Sequence, residues 1–176
     1  MIRKSLLFMM LMALFAPLAM NAQTTVTIGE GTATSNTNPI GTYYSYSITE
    51  QLYTAEEIGM AGTITSISFN YAGTVAKDFP IQVYMMNVDA ADLSTGINLA
   101  DADEVFNGTL SITGQGWFTI DLESPFAYDG TSNLLIGINK SYVQWYSGGT
   151  WYNTATTATM ARYRRPPFRT TSWAMW

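Results

Sequence analysis

Apolar and polar residues alternate over short stretches of this chain, and after residue 22 no segment keeps apolar residues at helical spacing for three turns. The alternating segments are rich in Thr, Ile, Val, Phe and Tyr and are bounded by Gly, Asn, Asp and Pro, which is typical of strands joined by turns. About eight to ten such segments predict an all-β protein built as an antiparallel β-sandwich. We expect strands near residues 24–28, 42–53, 63–71, 79–88, 105–112, 117–122, 134–139, 142–146, 150–153 and 156–163.

Two of these segments carry finer predictions. In 63–71, Ile64 is out of phase with the later apolar positions, which indicates a β-bulge near Thr65 and Ser66. In 79–88 both faces are apolar, so we expect a central strand that is covered on both sides. Pro80 is compatible with this strand only near its start or at an edge.

The sequence constrains the number of strands more closely than it constrains their arrangement. Short strands and uneven connections favour a jelly-roll-like sandwich, and an immunoglobulin-like arrangement stays open. Segments 142–146 and 150–153 flank Ser147-Gly148-Gly149, which predicts a hairpin. The length of 176 residues is that of one domain with a substantial core.

The first 22 residues have the layout of a secretory signal peptide. Arg3 and Lys4 precede an apolar run over 6–20, and small residues follow up to Ala22. A run of 15 residues is short for a membrane span, which needs about 20. We therefore expect cleavage after Ala22, no transmembrane span in the mature chain, and a secreted or outer-cell-surface location.

Charge divides the remaining chain into two parts. Residues 23–161 hold 13 acidic and 2 basic residues, whereas 162–176 hold four arginines and no acid. An acidic body repels phosphate backbones, so nucleic acid is not an expected partner. We predict a β-sandwich over 23–161 and a basic tail over 162–176. The tail is either a contact for anionic glycans or the envelope, or the product of a truncated or frame-shifted gene; the missing closing strand favours the second.

The chain contains no His and no Cys. Their absence excludes disulfides, thiol nucleophiles, zinc–thiolate sites and catalysis by an imidazole base. We predict that the protein is not an enzyme.

Aromatic residues around the Gly148-Gly149 turn are the first candidate binding site. Trp145, Tyr146, Trp151 and Tyr152 offer ring faces that can stack on sugars. Successive strand residues point to opposite faces, so at most half of the set can be exposed together, and a role in the core is the favoured alternative. A second candidate consists of three tyrosines in the second expected strand, although tyrosines are common in strands: Tyr43, Tyr44 and Tyr46.

Acidic residues between the fourth and fifth expected strands are a candidate calcium site, and calcium is the one cofactor that the sequence suggests. Their carboxylates are Asp89, Asp92, Asp101, Asp103 and Glu104. Calcium prefers oxygen ligands. The spacing does not match an EF-hand, however, and a solvated loop that keeps the protein soluble is the favoured interpretation.

Several motifs resemble a family of secreted β-sandwich domains of Gram-negative anaerobic bacteria. The most specific is 125–134, with the sequence PFAYDGTSNL; segments 50–53, 62–69, 81–84 and 116–120 also match. The resemblance implies a non-catalytic cell-surface module, for adhesion or as an accessory domain of a larger exported protein. Glycans or host and cell-surface proteins are the implied partners. Two alternatives stay open: a carbohydrate-binding module that uses the aromatic hairpin, and the N-terminal fragment of an exported peptidase or glycan-processing enzyme.

Overall fold

The computed structural model describes residues 23–165, so the predicted signal peptide and residues 166–176 of the predicted tail lie outside the described residues. The described residues form nine strands, one helical turn and one 3-10 turn. The strands are β1 (Ala33–Ser35), β2 (Ser47–Tyr53), β3 (Gly62–Tyr71), β4 (Lys77–Val88), β5 (Asp103–Ile112), β6 (Gly116–Tyr128), β7 (Asn133–Lys140), β8 (Trp151–Asn153) and β9 (Ala161–Arg164). The α1 turn is Ala55–Ile58, and the 3-10 turn is Leu99–Asp101. No helix in this part of the chain is long and apolar enough to span a membrane.

The strands form two antiparallel sheets that pack against each other. One has the order β1-β8-β3-β6, and the other has the order β5-β4-β7-β2-β9. The first eight strands pair in a nested way: β1 with β8, β2 with β7, β3 with β6 and β4 with β5. This nesting is the topology of a jelly roll, to which β9 adds an edge strand. The predicted sandwich is therefore confirmed, and the strand order favours the jelly roll over the immunoglobulin-like alternative.

The main core lies between the two sheets. On β4 the side chains of Phe79, Ile81, Val83 and Met85 alternate with less buried neighbours, as the period of two requires. Strand β4 lies between β5 and β7, so the prediction of a central strand is confirmed. Pro80 lies one residue beyond the last pair with β7, where a missing N–H breaks no bond in that ladder.

A second, smaller core covers the outer face of the five-stranded sheet. Leu93 is fully buried there against Leu52 and Leu135, with Leu99 packed at the margin. The backbone N–H of Leu93 donates to the carbonyl of Thr159 at 2.7 Å. The acidic segment after β4 is therefore a cover for this sheet. It supplies the second layer that the apolar outer face of β4 predicts.

Local signals in the sequence place several features correctly. The β3–β6 register shifts between Ile64 and Ser66, at the predicted bulge. The Asp-Gly turn at residues 129–132 is closed by the Asp129 carboxylate, which accepts the N–H groups of Thr131 at 2.7 Å and Ser132 at 2.8 Å. These bonds hold the pKa of Asp129 at about 2, with the backbone bond from Ser132 the largest cause.

Two expected strands are wrong, and the strand expected over 42–53 begins only at Ser47. Residues 24–28, 42–46 and 142–146 have no strand structure, so the predicted hairpin around Gly148-Gly149 does not form. Instead β8 pairs with β1 and β3. The boundary at residue 161 is also wrong, because β9 extends to Arg164 and pairs with β2. These errors share a cause: alternation reports which residues can be half-buried, but not whether a partner strand lies alongside.

Candidate functional site: an aromatic platform at one end of the sandwich

Two loops meet beside the end of β7 and hold each other in place. Residues 41–46 lead into β2, and residues 141–146 leave β7. The N–H of Val143 donates to the carbonyl of Ser45 at 2.9 Å, and the N–H of Thr42 donates to the carbonyl of Asn36, also at 2.9 Å. Val143 is buried in the main core. These bonds and this anchor give the two loops a defined conformation without regular secondary structure.

The aromatic side chains of these loops form a continuous surface. The ring centroid of Tyr43 lies 5.0 Å from that of Tyr44 and 5.9 Å from that of Trp145. Tyr44 in turn stacks on Tyr163 of β9, with centroids 5.9 Å apart and ring planes 27° from parallel. We call Tyr43, Tyr44, Trp145 and Tyr163 the aromatic platform. Two of its four side chains are strongly exposed to solvent, Tyr43 to 43 % and Trp145 to 60 %.

A second aromatic pair continues along the same two loops. The rings of Tyr46 and Tyr142 are 5.5 Å apart, and Tyr142 is 59 % exposed. Exposed aromatic rings concentrated on one pair of loops are unusual for a surface that has no partner.

Arg165 lies at the edge of the platform. Its guanidinium carbon is 4.4 Å from the centroid of Tyr44, within the range of a cation–π contact. Burial raises the pKa of Tyr163, as does the neighbouring Tyr44, while Arg165 acts in the opposite direction. The edge of the platform therefore combines ring faces with a fixed positive charge.

A buried lysine supports the platform from below. Lys140 is 1 % exposed, and its ammonium donates to the carbonyl of Tyr44 at 2.6 Å and more weakly to that of Ser45 at 3.4 Å. Burial lowers the pKa of Lys140 to about 8, and the charge of Lys77 adds to this effect. At neutral pH the protonated side chain ties the end of β7 to the loop that carries Tyr43 and Tyr44.

Trp151 is a correction to the predicted aromatic site. It is 0 % exposed, and its indole N–H donates to the carbonyl of Ile40 at 2.9 Å. Its ring packs edge-on against Tyr71 at 4.9 Å and also contacts Phe69. Trp151 is a core residue, so it cannot stack on a ligand at the surface.

The other predicted members are dispersed. Tyr146 is half-buried against Phe79, and burial raises its pKa well above the usual range of a phenol. Tyr152 is half-buried on β8, which does not contribute to the platform. Of the four aromatic residues in the first candidate site, only Trp145 belongs to the platform, where its ring contacts that of Tyr43 from the second candidate set.

Sequence reasoning missed Tyr163 and Arg165. Both lie in or next to β9, in a segment whose basic composition marked it as part of a tail. The available signal was their spacing: residues two apart on a strand share a face, so Tyr163 and Arg165 lie on one side of β9 and Arg162 and Arg164 on the other.

The candidate calcium ligands do not come together. Within residues 23–165 no three acidic side chains form a group that could hold a metal ion. Asp92 accepts the N–H of Ser94 at 2.7 Å, and Glu104 accepts from Tyr84 at 2.9 Å. Asp89, Asp101 and Asp103 are exposed along the covering segment and its junction with β5. The geometry gives calcium binding no support, and the segment instead has the structural role described above.

No protein-family model, curated protein or solved structure matches this chain.

Proposed function

We propose that this chain is a non-catalytic binding module of an exported protein, and that it recognises carbohydrate through the aromatic platform. The observation that carries the proposal is the contact of exposed Tyr43 with exposed Trp145, with ring centroids 5.9 Å apart. Aromatic faces bind sugar rings through apolar contact, and their hydroxyl and indole N–H groups supply hydrogen bonds at the margin.

The construction of the site supports a binding role. The platform rests on loops fixed by backbone hydrogen bonds, a buried Val143 and the Lys140 ammonium. A surface that is already ordered loses little conformational entropy on binding, so it gains affinity without a large contact area. Export follows from the predicted signal peptide, and a role on the cell surface or in a larger exported protein fits the family resemblance.

The chemistry of the platform favours binding over catalysis. Its members provide ring faces, phenol hydroxyls and an indole N–H. A glycosidase of the common type needs two carboxyl groups on either side of the scissile bond, and the platform itself has none. The alternative of an enzyme fragment concerns sequence beyond this chain, and no observation on residues 23–165 favours it.

Affinity electrophoresis of the full chain in gels that contain neutral or acidic polysaccharides tests the proposal. At least one polysaccharide is expected to retard the protein. Trp145→Ala is expected to weaken that retardation about five- to tenfold, because one aromatic contact contributes on the order of 1 kcal/mol.

Trp117→Ala is the matched control for this experiment. Trp117 is 61 % exposed, almost the same as Trp145, but it lies on edge strand β6. Its removal changes exposed aromatic area by the same amount without touching the platform. Absence of retardation by every polysaccharide, or equal losses in the two variants, would contradict the proposal. Selective loss with Trp117→Ala would move the site to the outer face of the four-stranded sheet.

A further inference from the structure

The position of Arg165 bears on the kind of glycan that the platform can bind. Its side chain is exposed and lies over one face of Tyr44, whose ring is in contact with Tyr43. A guanidinium that stacks on a ring keeps its N–H groups in its own plane, where they stay available to a ligand. Five N–H donors are thus presented at the edge of the platform.

The charge of Arg165 has no ion-pair partner within the described part of the chain. Among residues 23–165 the one ion pair joins Arg164 to Glu50, on the opposite face of β9. Glu50 is 1 % exposed, so that pair is an internal contact. Arg165 makes no hydrogen bond to another described residue, and its guanidinium lies over the Tyr44 ring.

We propose that the aromatic platform selects glycans that carry carboxylates, such as polymers of uronic acids, and that Arg165 binds the carboxylate. The inference rests on the proposed function, since it assigns a ligand class to the same site. Guanidinium and carboxylate match as a planar, two-fold hydrogen-bonded pair. The guanidinium lies 4.4 Å from the ring of Tyr44, whose centroid is 5.0 Å from that of Tyr43, so one glycan chain can contact the Tyr43 ring and the guanidinium together.

The rest of the body sharpens the selectivity. Residues 23–161 carry 13 acidic and 2 basic residues, so a polyanion is repelled from most of this surface. Attraction is confined to the edge of the sandwich where β9 places its arginines. Binding is therefore expected to depend on one local contact.

Polygalacturonate and its fully methyl-esterified form provide the test, because the two polymers share a backbone and differ in charge. The full chain is expected to bind the acid at least tenfold more tightly than the ester. Arg165→Gln is expected to remove this preference, and Arg165→Lys is expected to keep part of it. Lys77→Gln is the charge-matched control, because its ammonium lies over Tyr146 instead of a platform ring, and it is expected to keep the full preference.

The outcomes separate the inference from the function on which it rests. Equal binding of acid and ester, or a preference that survives Arg165→Gln, overturns the role of Arg165 while carbohydrate binding stands. Dextran sulfate bound as tightly as polygalacturonate, with the same dependence on Arg165, overturns selection of carboxylates in favour of anions in general. Absence of binding to any polysaccharide, neutral or acidic, overturns both proposals.

Discussion

Trp151 and Trp145 lie six residues apart in the chain, and the structure predicts opposite consequences for their removal. Trp151→Ala deletes a fully buried indole that packs on Tyr71 and Phe69 and donates to the carbonyl of Ile40. Large-to-small changes of Trp in a core cost about 3–5 kcal/mol in the free energy of unfolding, because transfer energy is lost and a cavity remains.

That cost is a large share of the stability of a domain, which is about 5–15 kcal/mol in total. For a chain of this size it corresponds to a fall in Tm of about 10 °C. Trp151→Phe keeps a ring but leaves the carbonyl of Ile40 without its donor, so we expect a loss of about 1–3 kcal/mol. Trp145→Ala removes a 60 % exposed side chain, for which a change within about 0.5 kcal/mol is expected.

Urea denaturation followed by circular dichroism measures these differences, with the slope m checked for constancy across the variants. The expected order of stability is wild type, Trp145→Ala, Trp151→Phe, Trp151→Ala, with the first two nearly equal. A Trp151→Ala midpoint close to that of Trp145→Ala would refute the burial of Trp151 and reopen the aromatic hairpin.

Three further predictions test the fold and its buried charges. Burial lowers the pKa of Lys140 to about 8, so above that pH this side chain holds a proton in the unfolded chain but not in the folded one. The stability of wild type relative to Lys140→Met should therefore rise from about pH 8 towards pH 10, as measured by the difference between their Tm values. Gly130 has a positive φ of 77°, and an added Cβ would lie 2.7 Å from the backbone nitrogen of Ala61. Gly130→Ala should therefore lower the free energy of unfolding by more than about 1 kcal/mol in urea denaturation, whereas Gly62→Ala, whose added Cβ meets nothing within 4 Å, should be close to neutral. Arg164→Met leaves the buried Glu50 carboxylate without its ion-pair partner, so the free energy of unfolding should fall by about 1–3 kcal/mol after allowance for the partial exposure of Arg164. Adding Glu50→Gln should restore part of this lost stability, whereas strictly additive losses in the double-mutant cycle would argue against a stabilising ion pair between Arg164 and Glu50.

Local chemistry explains which features of the fold were predictable. The bulge at Ile64 to Ser66 and the Asp129 turn depend on residues close in sequence, so phase and turn composition are sufficient to place them. Strand β7 was predictable for the same reason, because most of it is one short apolar run in the sequence. The prediction of a hairpin around Gly148-Gly149 is wrong because Trp151 pairs with β1 and β3, which lie far away in the sequence.

The candidate site was only half predictable for a related reason. The sequence indicates that Trp145 and Tyr43 are aromatic residues near turns, but it assigns them to two separate candidates. Their contact depends on the nested pairing of strands, which brings the loop before β2 beside the loop after β7. Arg165 joins them only because β9 pairs with β2.

Composition and a side-chain period of two are sufficient to establish an all-β chain, the turn at Asp129, and the absence of imidazole and thiol chemistry. Three features depend on the tertiary structure: the jelly-roll order of the strands, the packing of the acidic segment over the five-stranded sheet, and the burial of Trp151 with exposure of Trp145. The two tryptophans are chemically identical, and no local pattern separates them. What separates them is the position of strands distant in sequence, which fixes which ring is enclosed and which remains at the surface.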